Sequence, residues 1–221
     1  MAKDKMQFAI IGLGRFGGSV AKTLHQLGHE VLGIDSDAEV VQEFSNELTH
    51  VISMDAHDEE ALRSQGMHNF DAVVVAIGAN VEANLFTTLM LKDLGVKNVI
   101  AMANDVVQGR MLKKIGATQV VYPHADMGRR VAHKLCVKSM IDYMELGNDL
   151  TIIELRVPSF LIGKNLKNTK LRENYGVNVV AVKTAKQTFI PPNPDIALEK
   201  GDVVVIIGKH EGIKKLEVQI D

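Results

Sequence analysis

The residues best suited to chemistry form the run Gly12-Leu13-Gly14-Arg15-Phe16-Gly17-Gly18, directly after the apolar stretch Phe8–Ile11. Where a strand passes into a helix, glycines at this spacing have separate uses. Gly12 makes the tight turn, Gly14 lets backbone approach a phosphate, and Gly17 lets the helix pack closely on the strand. The helix start then offers unpaired N–H groups and a positive dipole end to an anion. Asp35 follows 21 residues after Gly14, at the end of the next β-branched run. A carboxylate there accepts ribose hydroxyls and disfavours the 2′-phosphate of NADP. Arg15 departs from a plain dinucleotide turn, because its guanidinium can fork onto a terminal phosphate such as those of ATP or ADP. The alternatives are a tight βα turn with no ligand and a solvated Arg15, although a cation near a helix N-terminus costs stability.

These residues need a scaffold, and the chain repeats one. Short β-branched runs at Phe8–Ile11, Glu30–Ile34, His50–Ser53, Ala72–Ile77, Asn98–Ala101 and Gln119–Tyr122 alternate with helical patterns. The helices fall at Ser19–Leu27, Ala38–Glu47, Asp58–Gln65, Glu82–Leu94 and Val106–Ile115, with left-handed stops expected at Gly28, Gly66, Gly95 and Gly116. This rhythm predicts an α/β fold: a doubly wound, Rossmann-like parallel sheet covered on both faces. Ligands of such sheets sit beyond the carboxyl ends of the strands. Polar residues occur there at Asp55-Ala56, Gly78-Ala79-Asn80, Ala103-Asn104-Asp105 and His124, with helix capping as the other reading for Asn80 and Asp105.

After Pro123 the pattern changes. Met127, Val131, Leu135, Cys136, Met140, Ile141 and Met144 predict one long amphipathic helix over 125–146, ending near Gly147-Asn148. The remaining 70 or so residues predict a smaller α/β module. It has strands at Leu150–Val157, Val177–Val182 and Asp202–Ile207, a helix around Leu166–Tyr175, a Pro-rich corner at Pro191-Pro192-Asn193-Pro194 and a terminal helix after Gly212. The expected division is 1–124, a linking helix 125–148, and 149–221.

Composition narrows the function classes. The 221 residues carry 25 Lys+Arg against 27 Asp+Glu, a net charge of -2, which argues against nucleic acid as a partner. The one cysteine, Cys136, forms no intrachain disulfide and no Cys-based zinc cage, so a reducing, cytoplasmic setting is expected. The N-terminal MAKDKMQFAI lacks the pattern of a secretory signal, and no apolar run approaches the ~20 residues of a bilayer span. The eight histidines are scattered, and no Walker lysine, nucleophile elbow or paired carboxylates occur. The expectation is a protein that binds a nucleotide rather than transforming it. An NAD(H)-linked oxidoreductase or redox sensor is the alternative, and a bare oligomerisation module a third reading.

The run FAIIGLGRFGGSVAKTLHQLGHEVLGID resembles the RCK domain of bacterial potassium-uptake regulators, the Ktr-type regulatory subunits (KtrA/KtrC group) of the wider TrkA family. The likeness continues through NFDAVVVAIGANVEANLFTTLMLKDLGV, KIGATQVVYPHADMGRRVAH and LRENYGVNVVAVK, covering essentially the whole chain. It implies a TrkA-N nucleotide-binding domain, then a TrkA-C domain, in a peripheral subunit on the inner face of the membrane. Such subunits form a homo-octameric ring of dimers beneath a potassium-translocating integral membrane protein, with ATP favouring an active and ADP an inactive ring. NAD(H) also binds in that family.

By position, the resemblance assigns Gly12, Gly14, Arg15, Phe16 and Gly17 to the phosphates and Asp35, Ser36 and Asp37 to the ribose region. Asp55 and Ala56 fall to the adenine, Ile77, Gly78 and Ala79 to the cleft wall, and Met102, Ala103, Asn104, Gln108 and His124 to its closure. Met102 stands where the family has a lysine, and His124 where it has a glutamate associated with a cation near the phosphates. A divalent cation, and His124 as its ligand, therefore stay open. In the second module, Leu166, Arg172, Asn178, Val179 and Val180 match part of the family's cyclic di-AMP motif, with Pro191 nearby, while Lys167 and Lys170 depart from it. The other reading is that Arg172 and Asn178 stabilise a helix-to-strand corner.

Overall fold

The computed structural model describes residues 5–147 and 149–220. Residues 1–4, Asn148, where the long helix is expected to end, and Asp221 lie outside them. The chain divides into two compact units, Met1–Ala125 and Asp126–Asp221.

In the first unit the elements alternate: β1 Gln7–Ile11, α1 Arg15–Gln26, β2 Glu30–Asp35, α2 Ala38–Phe44, β3 His50–Ser53 and α3 Glu59–Ser64. They continue with β4 Ala72–Val75, α4 Val81–Asp93, β5 Val99–Met102, α5 Val106–Ile115 and β6 Gln119–Val121. The six strands pair in parallel in the order β3-β2-β1-β4-β5-β6. Side chains alternate along each strand, so its two apolar sets bury on opposite faces. Ala9, Ile11, Val73 and Val75 pack with Leu62, Leu91 and Leu112. Ile10, Val31 and Val74 pack with Leu13, Ala21 and Phe44. This is the doubly wound sheet that the sequence predicts. The four glycine stops are present too, with φ between 64° and 120°.

The order reverses at β1, whose neighbours are β2 on one side and β4 on the other. At that switch point the loops after β1 and β4 diverge to opposite faces and leave a crevice between them.

The second unit differs from expectation at its start. The helix α6 runs only Pro123–Cys136, and Met140–Leu146 is a strand, β7. The cause is local. A bulge lies between Met140 and Asp142 in the antiparallel pairing with β8 (Leu150–Arg156). It places Met140 and Tyr143, three apart, on the same buried face, imitating helical spacing. The hairpin turns through Gly147 at φ 69°. Arg130 forks onto Asp142 through Nε (2.6 Å) and Nη2, holding the Asp142 carboxyl below its ordinary range. The His133 ring stacks on Tyr143 at 3.7 Å between centroids. Burial, then the hydrogen bond to Glu145, pushes the Tyr143 phenol up to about 12.

The expected helix over 166–175 is instead a 3-10 turn at Leu166–Asn168 followed by α7, Leu171–Tyr175. Then come β9 Val177–Lys183, a short β10 Thr188–Phe189 that the sequence pattern does not signal, β11 Val203–Lys209 and α8 His210–Glu217. The sheet is antiparallel throughout, in the order β10-β9-β11-β8-β7. Its core includes Ile153, Leu155, Leu161, Leu198 and Ile206, all fully buried, each worth about 1.5–3 kcal/mol of apolar burial.

Candidate functional site

The turn between β1 and α1 has the geometry that its glycines require. Gly12 adopts φ 92° and donates its N–H to Ile34 O at 2.8 Å. A Cβ on Gly12 would come within 2.9 Å of Ala76 O, and one on Gly17 would collide with the Gly12 carbonyl. A Cβ on Gly14 would meet nothing within 4 Å. The backbone at Gly14 therefore borders open space, as a phosphate approach demands.

Helix N-termini leave N–H groups without intrahelical partners. α2, α3, α4 and α5 satisfy one of these with a side chain: Asp37 to Glu39 N, Asp58 to Ala61 N, Asn80 to Ala83 N and Asp105 to Gln108 N, all 2.8–3.0 Å. α1 starts from Gly14 with no side-chain cap and no acidic residue in its first turn. Its N–H groups and dipole remain available to an anion. Arg15 stands beside them with no ion pair to any described residue, while Asn80 and Asp105 take the capping role.

A cleft of about 700 Å³ opens at this turn, within the range of small-molecule sites. Its lining follows the strand order. Gly12, Gly14, Arg15 and Phe16 come from the loop after β1, Asp35 and Ser36 from the end of β2, and Met54, Asp55, Ala56 and His57 from beyond β3. On the other side of β1 stand Ile77, Gly78, Ala79 and Asn80 after β4, Met102 at the end of β5, and His124 after β6.

Asp35 is held at both oxygens, Oδ2 accepting from Leu13 N (2.7 Å) and Oδ1 from Asp37 N (3.0 Å). Each keeps a second lone pair for a hydroxyl donor. Asp55 Oδ1 accepts from both the backbone N and the ring Nδ1 of His57, each at 2.9 Å. These bonds, the backbone one first, hold the Asp55 carboxyl below the usual carboxylate range.

Five of the expected site residues lie outside the lining. Gly17 is buried against the β1 turn, and Asp37 caps α2. Ala103 is buried. Gln108, also buried, accepts from Asn104 N at 2.9 Å, and Asn104 Nδ2 donates to Gly78 O at 2.9 Å. Asn104 thereby joins the β4 and β5 loops, and Gln108 steadies Asn104 from the start of α5. Asn84, fully buried on α4, reinforces that join: its Nδ2 donates to Ile77 O (2.8 Å) and Met102 O (3.0 Å).

Conversely, Ile11, Ile34, Met54, His57, Ala76 and Ala83 line the cleft without having been signalled. Met54 and His57 flank the Asp55-Ala56 pair, and that adjacency was the available signal.

In the second unit Leu166 N donates to Ile196 O and Lys167 N to Pro194 O, each at 2.9 Å, fastening the 3-10 turn to the Pro-rich corner. Arg172 on α7, Asn178 on β9 and Pro191 are exposed, whereas Val179 packs against the core. No hydrogen bond joins the side chains of Arg172 and Asn178 among the described residues.

A family model for the TrkA-N domain matches residues 8–123, and one for the TrkA-C domain matches residues 150–220. The chain belongs to the TrkA family. This TrkA-family chain is 38% identical over 216 residues to the Ktr system potassium uptake protein C of Bacillus subtilis (strain 168), covering 98% of each. It is 38% identical over 211 residues to the Ktr system potassium uptake protein A of Vibrio alginolyticus, covering 96% of each. In fold it is similar to the crystal structure of the GsuK RCK domain (TM-score 0.67, 17% identity), covering 100% of this chain and 48% of that one. The GsuK channel bound to NAD aligns at TM-score 0.70 and 18% identity, covering 100% and 40%. Among the described residues, no helix is long and apolar enough to cross a membrane.

Proposed function

We propose that this TrkA-family chain is a cytoplasmic regulatory subunit, peripheral on the inner face of the membrane, that gates a potassium-translocating integral membrane protein. It does so as a homo-octameric ring of dimers, according to whether ATP or ADP occupies the cleft. Near-full-length likeness to Ktr potassium uptake proteins supports the potassium system. The observation that carries the nucleotide reading is the uncapped α1 start, with Gly14 open to the cavity and Arg15 beside it. Phosphates would lie on the α1 N–H groups and Arg15, the ribose hydroxyls on Asp35, and the base beyond β3.

The cleft binds rather than transforms its ligand. A hard divalent cation takes oxygen ligands, and the β4–β6 side offers Ile77, Gly78, Ala79, Asn80, Met102 and His124 without a carboxylate, the Asn80 Oδ1 already accepting from Ala83 N. That set does not fit such a cation, and the mechanism uses none. NAD(H) would share the adenosine half of the same site, and a cyclic dinucleotide at the exposed Arg172 and Asn178 of the second unit belongs to this reading as well.

A nucleotide shifts a ring between two shapes only through differential affinity for them. Arg15 supplies that difference by reaching a γ-phosphate that ADP lacks. α6, whose second residue lines the cleft, continues into the second unit as the element to carry the change. The test is Arg15→Ala in calorimetry with ATP and ADP. ATP should weaken by about tenfold, the lower end of a charge-assisted bond at an exposed site, and ADP by less. Equal losses for both nucleotides would sink the gating mechanism. Light scattering that finds no assembly beyond a dimer would remove the ring.

A further inference from the structure

The base end of the cleft carries a residue with a defined hydrogen-bonding sense. With strands about 4.8 Å apart, the end of β3 lies roughly 10 Å across the sheet from the phosphate turn, and Asp35 on β2 lies between. A nucleoside diphosphate laid along that edge brings its base to His57, which lines the cleft.

His57 is not free to present either nitrogen. Its Nδ1 lies 2.9 Å from Asp55 Oδ1, and an ionised carboxylate only accepts, so Nδ1 bears the proton. The ring also packs with Phe86, 5.6 Å between centroids and inclined by 30°. Nε2 has no partner among the described residues. In the neutral ring it is an acceptor with a fixed direction.

We propose that His57, oriented by Asp55 and Phe86, selects a 6-amino purine over a 6-oxo purine in this cleft. The exocyclic amino group of adenine donates to the Nε2 lone pair. The 6-oxo group of hypoxanthine or guanine would set two acceptors against each other, at the cost of an unmade hydrogen bond on both sides. This inference rests on the nucleotide reading above and deepens it, since it names the part of the ligand that His57 reads.

The test is calorimetry on the full chain at pH 8 with ADP and inosine diphosphate, which carry an amino and an oxo group at position 6 of the base. The wild type should prefer ADP by about tenfold, the scale of one neutral hydrogen bond with its opposing repulsion. His57→Ala should bring the two nucleotides within about twofold and leave the thermal midpoint unchanged, as the side chain is substantially exposed. His57→Gln should keep ADP affinity yet admit inosine diphosphate, because an amide can turn to donate or accept. If His57→Ala binds neither ligand, the ratio in His57→Gln decides. An unchanged ADP preference in the variants, or none in the wild type, overturns the role of His57 alone. A wild type that binds neither nucleotide overturns the cleft reading and this inference together.

Discussion

Asn84 is where the fold and the cleft can be tested by one side chain. It is fully buried, and its amide joins the ends of β4 and β5 by donating to Ile77 O at 2.8 Å and Met102 O at 3.0 Å. The Oδ1 atom has no partner, although it too is buried. Asn84→Leu keeps the volume nearly constant while removing both donors. A buried carbonyl at Met102 and a half-buried one at Ile77 then lose a bond, each loss worth about 1–1.5 kcal/mol, while removal of the unpaired Oδ1 returns roughly 1 kcal/mol. The expected destabilisation is about 1–2 kcal/mol. For a unit of this size that lowers the midpoint by about 3–10 °C, read by circular dichroism with urea titration as the second measure. Nucleotide affinity should fall too, because Ile77 and Met102 both line the cleft. Stability within about 0.5 kcal/mol of the wild type would refute the reasoning, since the two amide bonds would then contribute nothing. Asn84→Asp sharpens the test. A carboxylate facing two carbonyls has its folded-state pKa raised, so stability should be present at low pH and lost as pH rises through that value.

Further outcomes follow from the same geometry. Gly14→Ala should leave the melting midpoint unchanged yet abolish nucleotide binding in calorimetry, because its Cβ enters the open space meant for phosphate. Gly17→Ala should destabilise by about 1–3 kcal/mol through its clash with the Gly12 carbonyl; equal behaviour of the two variants would contradict the assignment of the turn. Asp142 titrates below its ordinary range in the fold, so its contribution is present above the unfolded value near pH 4 and lost as pH falls further. Asp142→Asn should therefore flatten the acid limb of urea midpoints. Tyr143, pushed up to about 12, should cost stability as pH rises from about 10 towards that value, and ultraviolet titration near pH 11 should show it still neutral in the folded chain.

Much of the first unit was legible because its signals are local. The strand–glycine turn–helix of residues 8–27, the stops at Gly28, Gly66, Gly95 and Gly116, and Asp35 at the end of β2 depend on neighbours within a few turns of chain. The capping role of Asn80 and Asp105 was open in the sequence, and 3.0 Å and 2.8 Å bonds to Ala83 N and Gln108 N decided it. Gln108 and Asn104 were expected to close the site. In the fold Asn104 Nδ2 ties the β5 loop to Gly78 O of the β4 loop, 26 positions away, and Gln108 Oε1 accepts from Asn104 N.

By itself, the sequence determined that strands and helices alternate, that the first βα turn suits a phosphate, and that a carboxylate waits where a ribose would lie. Each is a matter of backbone freedom, side-chain period and spacing along one segment. Tertiary structure decided the rest. Residues 140–146 became a strand because β8 supplies their backbone partners and a bulge reproduces helical spacing. His57 joined the cleft because Asp55 fixes its ring beside Phe86, a contact across 29 residues. Which lining residues face the cavity depends on where six strand ends meet, and only the folded sheet brings them to one edge.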